Sequence, residues 1–228
     1  MPVVERRYAG KEFAMKKIRV IFSKKDRMKF VSHLDMNRFI IRLFRMAKIP
    51  VWYTEGFNQH PYISFALPLS LGFESEYEIL DFKITDDSYS CKQLLDDLNS
   101  KSVPGIVFKS AFEENKKAKE IAFSEYEIKF ENSNLAKSFF DYLSNAEEIF
   151  ADKKTKKGEL NKIEISQHLN TVRHQEGECS VLITIPAGSN LNINPTLYVS
   201  AFAEDMASSC TYRVLRTLVF DKEMCVFM

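Results

Sequence analysis

From Met15 onward, apolar residues fall in short runs whose spacing alternates between strand-like and helix-like. Ile18-Arg19-Val20-Ile21-Phe22 has the β-branched and aromatic content of a strand. Ser32 with Asp35 three positions on resembles a capping box, aspartate replacing the commoner glutamate, so a helix is expected to begin there. Phe39, Ile40, Leu43, Phe44 and Ala47 then recur at three- and four-residue spacing, while Arg38, Arg42 and Arg45 fall on another face. Ile49-Pro50 ends this helix, and Val51-Trp52-Tyr53 reads as a strand. Thr54 to Pro61 is turn-rich, Ile63 to Leu67 is extended, and Tyr77 to Ile84 alternates as a half-buried strand does. A second helix is expected over Cys91 to Leu98 and a strand over Val107 to Phe112. The order is β-α-β-β-α-β, that of a split βαβ or ferredoxin-like unit: an antiparallel sheet with both helices on one face.

The charged run Glu113 to Glu120 reads as a solvated connector, after which the same order returns more loosely. Strands are expected at Tyr126 to Phe130, Ile163 to Ile165, Val181 to Ile185 and Tyr212 to Phe220. Helices are expected at Asn134 to Leu143 and Pro195 to Ala203, with a basic turn at Lys153 to Gly158. The fold class is therefore α+β, as two tandem ferredoxin-like halves with antiparallel sheets; one continuous α+β sheet is the alternative. The corresponding division is an extension over 1–14, a basic N-terminal half over 15–112, a linker over 113–122 and a C-terminal half over 123–228. Residues 1–14 are polar and aperiodic, as expected of an extension or of an upstream start codon.

A hydrophobic content of 45% in 228 residues is ample for a core. No run approaches the eighteen or so apolar residues of a membrane span, and the first seven residues contain no apolar signal core, so a cytoplasmic location is expected. Cys91, Cys179, Cys210 and Cys225 are scattered, without a CxxC pair or a histidine at metal spacing. They read as reduced thiols, with no metal site and no cofactor signalled. The net charge is only +1, but its distribution is uneven. Residues 15–72 hold eleven basic and three acidic residues, a net of +8, whereas 73–151 hold nine basic and seventeen acidic, a net of −8. Such a segment is the footprint expected of a polyanion-binding face.

Candidate chemistry concentrates in two segments, Lys29 to Asp35 and Gly56 to Pro61. His33 falls near a helix N-terminus, where backbone N–H groups and the helix dipole favour phosphate. Arg38, Arg42 and Arg45 form a stripe without carboxylates four residues on, so a polyanion across them would relieve mutual repulsion. Trp52, Tyr53 and Phe57 lie beside the basic region as candidate base-stacking residues, although aromatics near strands are more often core. The candidate RNA- or phosphate-binding set is Arg27, Ser32, His33, Arg38, Arg42, Arg45, Tyr53, Phe57, Asn58, His60 and Arg216. No P-loop, GxGxxG, GxSxG or HExxH is present. A metal-independent ribonuclease needs only a proton shuttle and a cation, which leaves His33 and His60 as candidate catalytic residues.

Three ordered motifs carry a resemblance. They are Arg27-x-x-Phe30-x-Ser32-His33-Leu34-Asp35, then Gly56-Phe57-Asn58-Gln59-His60-Pro61, then Ile63 to Gly72 followed by Glu74-Ser75. This run resembles the bacterial radical-SAM-associated (radical-SAM-linked) domain of unknown function. Weaker similarity extends through Ala187-Gly188, Asn190-Leu191, Pro195 and Arg216-Thr217, while Gln59 and Ser70 replace prolines usual in that family. The resemblance implies a radical-SAM protein as partner and establishes no activity. The chain has no CxxxCxxC to hold the radical-SAM cluster, so it reads as the substrate-binding companion. The leading expectation is a non-catalytic RNA-binding accessory protein; the alternatives are the ribonuclease and an interaction module docking the partner through the loop 56–61.

Overall fold

A computed structural model describes residues 15–154 and 160–228. The expected extension 1–14 and the tip of the basic turn, 155–159, lie outside the described residues. The first strand, β1, spans Lys16–Lys24 and leads through a 3-10 turn, Asp26–Phe30, into α1, His33–Met46. The expected cap is formed: the Ser32 hydroxyl accepts the Asp35 backbone N–H at 3.2 Å and donates to the Asp35 carboxylate at 2.8 Å. Met36, Ile40, Leu43 and Phe44 bury one face of α1. The helix stops where Lys48 adopts a positive φ and Pro50 follows.

Next come β2, Ile63–Phe65; β3, Glu74–Ile84; α2, Cys91–Lys101; and β4, Ile106–Glu113. β1 pairs antiparallel with both β3 and β4, and β2 pairs antiparallel with β3, so this half has the order β4-β1-β3-β2. Residues 51–53 contribute isolated bridges, Val51 with Ile84 and Tyr53 with Pro61, in place of the strand expected there. Ile18, Val20, Phe22, Leu80, Phe82 and Ile84 form one core with the apolar faces of α1 and α2. Both helices therefore cover the same sheet face.

The remaining elements are β5, Ile121–Phe130; α3, Ser133–Asn145; β6, Phe150–Lys154; β7, Leu160–Glu164; β8, Thr171–His174; β9, Ser180–Pro186; α4, Thr196–Asp205; and β10, Tyr212–Asp221. Here the order is β10-β5-β9-β8. The strand expected at Ile163 to Ile165 corresponds to β7, which pairs with β6 in a separate hairpin and is not part of the main sheet. Its expected place is taken by β8, whose Thr-Val-Arg-His sequence has one aliphatic residue and so lacks a strand signal.

The chain is thus a mixed α/β protein with a mostly antiparallel sheet. The two sets of strands are not separate sheets: β10 pairs parallel with β3 at Leu215–Glu74 and Arg216–Ser75, giving one eight-stranded sheet. The connector is tied down instead of free, with the Glu114 N–H donating to Lys17 at 3.0 Å and Lys116 paired with Asp221. A third apolar cluster, Ile21, Leu67, Ile79, Ile121, Ala187, Val219 and Phe227, joins residues from both halves. Gly188 has a φ of +146°, and a Cβ there would lie 2.4 Å from the Ile121 carbonyl oxygen, so only glycine fits where this loop crosses β5.

At the parallel junction Arg216 is 1% exposed and forms an ion pair with Glu78, itself 4% exposed. Its guanidinium also donates to the Leu67 carbonyl at 2.9 Å and to the Ser75 hydroxyl at 3.4 Å. Removing one member of such a pair strands a charge in the interior, a loss of about 3–5 kcal/mol. Arg216→Met should therefore lower stability in urea denaturation by about that amount, and Arg216→Met with Glu78→Leu should recover much of it.

Candidate nucleic-acid interface

Folding pairs five of the eleven cations of the basic stretch with the acidic one. β1 lies between β3 and β4, so Lys16 meets Glu113 at 3.5 Å, Lys17 meets Glu114 at 3.9 Å and Arg19 meets Asp81 at 2.7 Å. Lys25 pairs with Glu76, and Lys29 with Glu74 at 3.2 Å. Lys24 is buried, donates to the Val31 carbonyl at 2.9 Å, and has its pKa lowered by burial, with Glu78 opposing and Arg216 reinforcing the shift. The local excess along the chain is therefore largely cancelled in space. Among the described residues of this stretch, Arg27, Arg42, Arg45 and Lys48 have no carboxylate partner, and all four are exposed.

Three of these four lie on or just beyond α1. Arg38 is exposed too, but it bonds the Asp35 carboxylate at 3.1 Å, so the stripe is not wholly free of acids as its i+4 spacing implied. Ser32 serves as the helix cap and is not a free donor. His33 is exposed, with its ring edge-on to Phe65 at 5.1 Å. His60 belongs to a different place: its Nδ1 lies 2.9 Å from the Asn58 carbonyl and 3.2 Å from the Thr54 hydroxyl. The Thr54 N–H donates to the His60 carbonyl at 2.9 Å, so this histidine closes the loop 54–60 upon itself. Phe57 is fully exposed on that loop beside Asn58.

His33 starts α1, whereas the loop 54–60 adjoins residues 51–53 just beyond its other end. A fourteen-residue helix is about 21 Å long. The two histidines have no contact partner in common: His33 packs on Phe65, whereas His60 is engaged with Asn58 and Thr54. Arg216 is a plain correction: it is interior, held by Glu78, Ser75 and Leu67, and presents no charge to a ligand. Among the described residues no cluster of histidine, cysteine, aspartate or glutamate could hold a metal ion, and no helix is long and apolar enough to cross a membrane.

Two residues outside the sequence-derived set prove to be neighbours of Trp52. Tyr62 lies with its ring 6.1 Å from that of Trp52, and the Lys83 ammonium stands 4.6 Å from the Trp52 ring centre and 5.3 Å from that of Tyr62. The alternation Phe82-Lys83-Ile84 marks Lys83 as facing away from the helices, but its pairing with Trp52 depends on the bridge from Val51 to Ile84.

The molecule is thus a mixed α/β sheet protein with exposed arginines along one helix and an aromatic–lysine cluster at a sheet edge. Its sequence matches, over residues 17–195, the family described as "Uncharacterized protein conserved in bacteria" (DUF2344), and the chain belongs to that family. No curated protein matches the chain.

Hydrogen bonds from Ser32 and Arg38 hold the Asp35 carboxyl below its ordinary value of 3.8. Because the folded pKa is the lower one, this cap strengthens α1 above the unfolded value and is lost as pH falls through the folded one. A carboxyl-carbon NMR titration of Asp35 should have its midpoint below 3.8, and Ser32→Ala should raise that midpoint toward 3.8.

Proposed function

We propose that this protein is a non-catalytic RNA-binding accessory to a radical-SAM enzyme, acting in RNA modification or in ribosome and RNA metabolism. The observation that carries the RNA part is the solvent face of α1, where Arg42 and Arg45 have no carboxylate partner among the described residues, while six of the eleven cations of the basic stretch are paired. Arg38 lies on the same face, and exposed Arg27 and Lys48 precede and follow the helix. Arginine on a rigid helix suits a phosphate backbone because its planar donors are preorganised. The repeated strand order, β4-β1-β3-β2 and β10-β5-β9-β8, supports reading each half as a ferredoxin-like unit, with β6 and β7 inserted in the second.

The partner rests on the resemblance of the motifs around Ser32, His60 and Leu67. A specific surface feature favours a protein contact as well. Phe30, Leu34 and Leu71 are 67%, 60% and 64% exposed, and a 2.9 Å bond from the Gly72 N–H to the Lys29 carbonyl joins the segments that carry Phe30 and Leu71. Apolar groups gathered in this way mark interaction surfaces more often than scattered ones do. The ribonuclease reading lacks such support, since His33 packs on Phe65 at the start of α1 while His60 is engaged with Asn58 and Thr54 within its own loop.

Filter binding to tRNA and rRNA at several salt concentrations tests the RNA reading. Binding should weaken with salt by about 0.7 log units per log unit for each phosphate neutralised on a single strand. Changing Arg38, Arg42 and Arg45 together to glutamine should lower affinity and flatten that slope by roughly 0.7 for each phosphate no longer neutralised. Melting should hardly change, because all three are exposed and glutamine has similar helix propensity. No retention at low salt, or an unchanged slope in the triple variant, overturns the proposal.

A further inference from the structure

Trp52, Tyr62 and Lys83 meet because of register. Val51, Ile63, Phe82 and Ile84 belong to the core beneath α1 and α2. Residues between them on extended backbone point to the opposite face of the sheet. The Trp52 N–H donates to the Lys83 carbonyl at 2.9 Å, and the Tyr62 N–H donates to the Trp52 carbonyl at 3.2 Å, which sets the three side by side at the β2 edge. Trp52, although partly buried, is not among the apolar residues that form or pack on the core clusters. Tyr62 is 45% exposed and Trp52 is partly exposed. The rings are inclined at 59°, and one ammonium lies within 5.3 Å of both centres.

We infer that this cluster is a base-stacking subsite for single-stranded RNA, an inference that rests on the RNA reading above. Aromatic faces bind bases of any sequence, and a lysine beside them can turn from the rings to the following phosphate. The α1 arginines can contribute charge, whereas this cluster adds the flat apolar surface that an unpaired base needs. A duplex keeps its bases stacked on each other, so the subsite selects single strands. Its position suits continuity with α1: Trp52 follows Arg45 by seven residues, and the intervening Lys48 is exposed. A strand crossing the C-terminal part of α1 thus reaches the aromatic pair by passing around the sheet edge. Tyr53 and Phe57, the other aromatics of this region, are not part of the cluster.

Trp52 is the only tryptophan of the chain, so its fluorescence reports on this place alone. Titrating the full-length protein with a single-stranded 12-nucleotide RNA should quench the emission along the same curve that filter retention gives. The same RNA annealed to its complement should leave the emission unchanged. Tyr62→Ala should weaken single-strand binding by about 5- to 150-fold, the loss expected for one stacked base. Tyr62→Phe should bind normally, and thermal melts of both variants should match the parent. If RNA is retained on filters while the emission stays constant and Tyr62→Ala binds as the parent does, the subsite is wrong and the RNA reading stands. If no RNA is retained at low salt, both fall.

Discussion

The pairing of β3 with β10, braced by the buried Arg216–Glu78 ion pair, is the constraint on which the rest of the molecule depends. Parallel registration covers two residue pairs, Leu215 with Glu74 and Arg216 with Ser75, and so contributes little backbone bonding by itself. The side chains at this seam supply the remainder. The Ser75 hydroxyl accepts the Tyr77 N–H at 3.0 Å as well as bonding Arg216, and Glu74 accepts both the Asp26 N–H at 3.1 Å and the Lys29 ammonium at 3.2 Å. The residues that join the two halves therefore also seat the turn leading into α1. The orientation of the arginine face is coupled to the junction between halves.

The same packing explains why charge along a sequence is a poor map of charge on a surface. β1 carries Lys16, Lys17 and Arg19 into the middle of a sheet whose flanking strands supply Asp81 and Glu113, with Glu114 just beyond. Antiparallel neighbours bring opposite charges into register, and most of that excess disappears into pairs. A helix on the surface has no such neighbours. For that reason Arg42 and Arg45 of α1 stay available while Lys16, Lys17 and Arg19 of β1 do not.

Much of the fold was legible from the residues. The cap at Ser32, the apolar face of α1, the four helices and the closing strand over Tyr212 to Phe220 all follow from local pattern. What was not legible depends on partners distant in sequence. β8 is a polar edge strand, and β6 begins with Phe150 and Ala151 before turning wholly polar, so neither alternates strongly enough to be seen. Burial of Arg216 depends on Glu78, 138 residues away, and the neighbourhood of Trp52, Tyr62 and Lys83 on the edge register of β3. The two histidines sit in short dense motifs, but they contact different residues, Phe65 for one and Asn58 and Thr54 for the other.

The motif residues divide by what they touch. Ser32 and Asp35 cap α1, His60 closes its loop, Glu74 and Ser75 brace the seam, and Gly188 fits against β5. Each has an internal task that accounts for its identity. Phe30, Leu34, Phe57 and Leu71 have none: they are large, apolar and open to water. Burying a side chain of this size stabilises by about 1.5–3 kcal/mol, and among the described residues little of that energy is gained at these four positions. A contact beyond the described residues would account for them. Phe30, Leu34 and Leu71 are associated with the N-terminal end of α1, while Phe57 and the Trp52 cluster adjoin the region beyond its C-terminal end. The arginine face spans the interval between them, so on the reading proposed above a protein at the first end and a nucleic-acid strand at the second would occupy the same helix without competing for it.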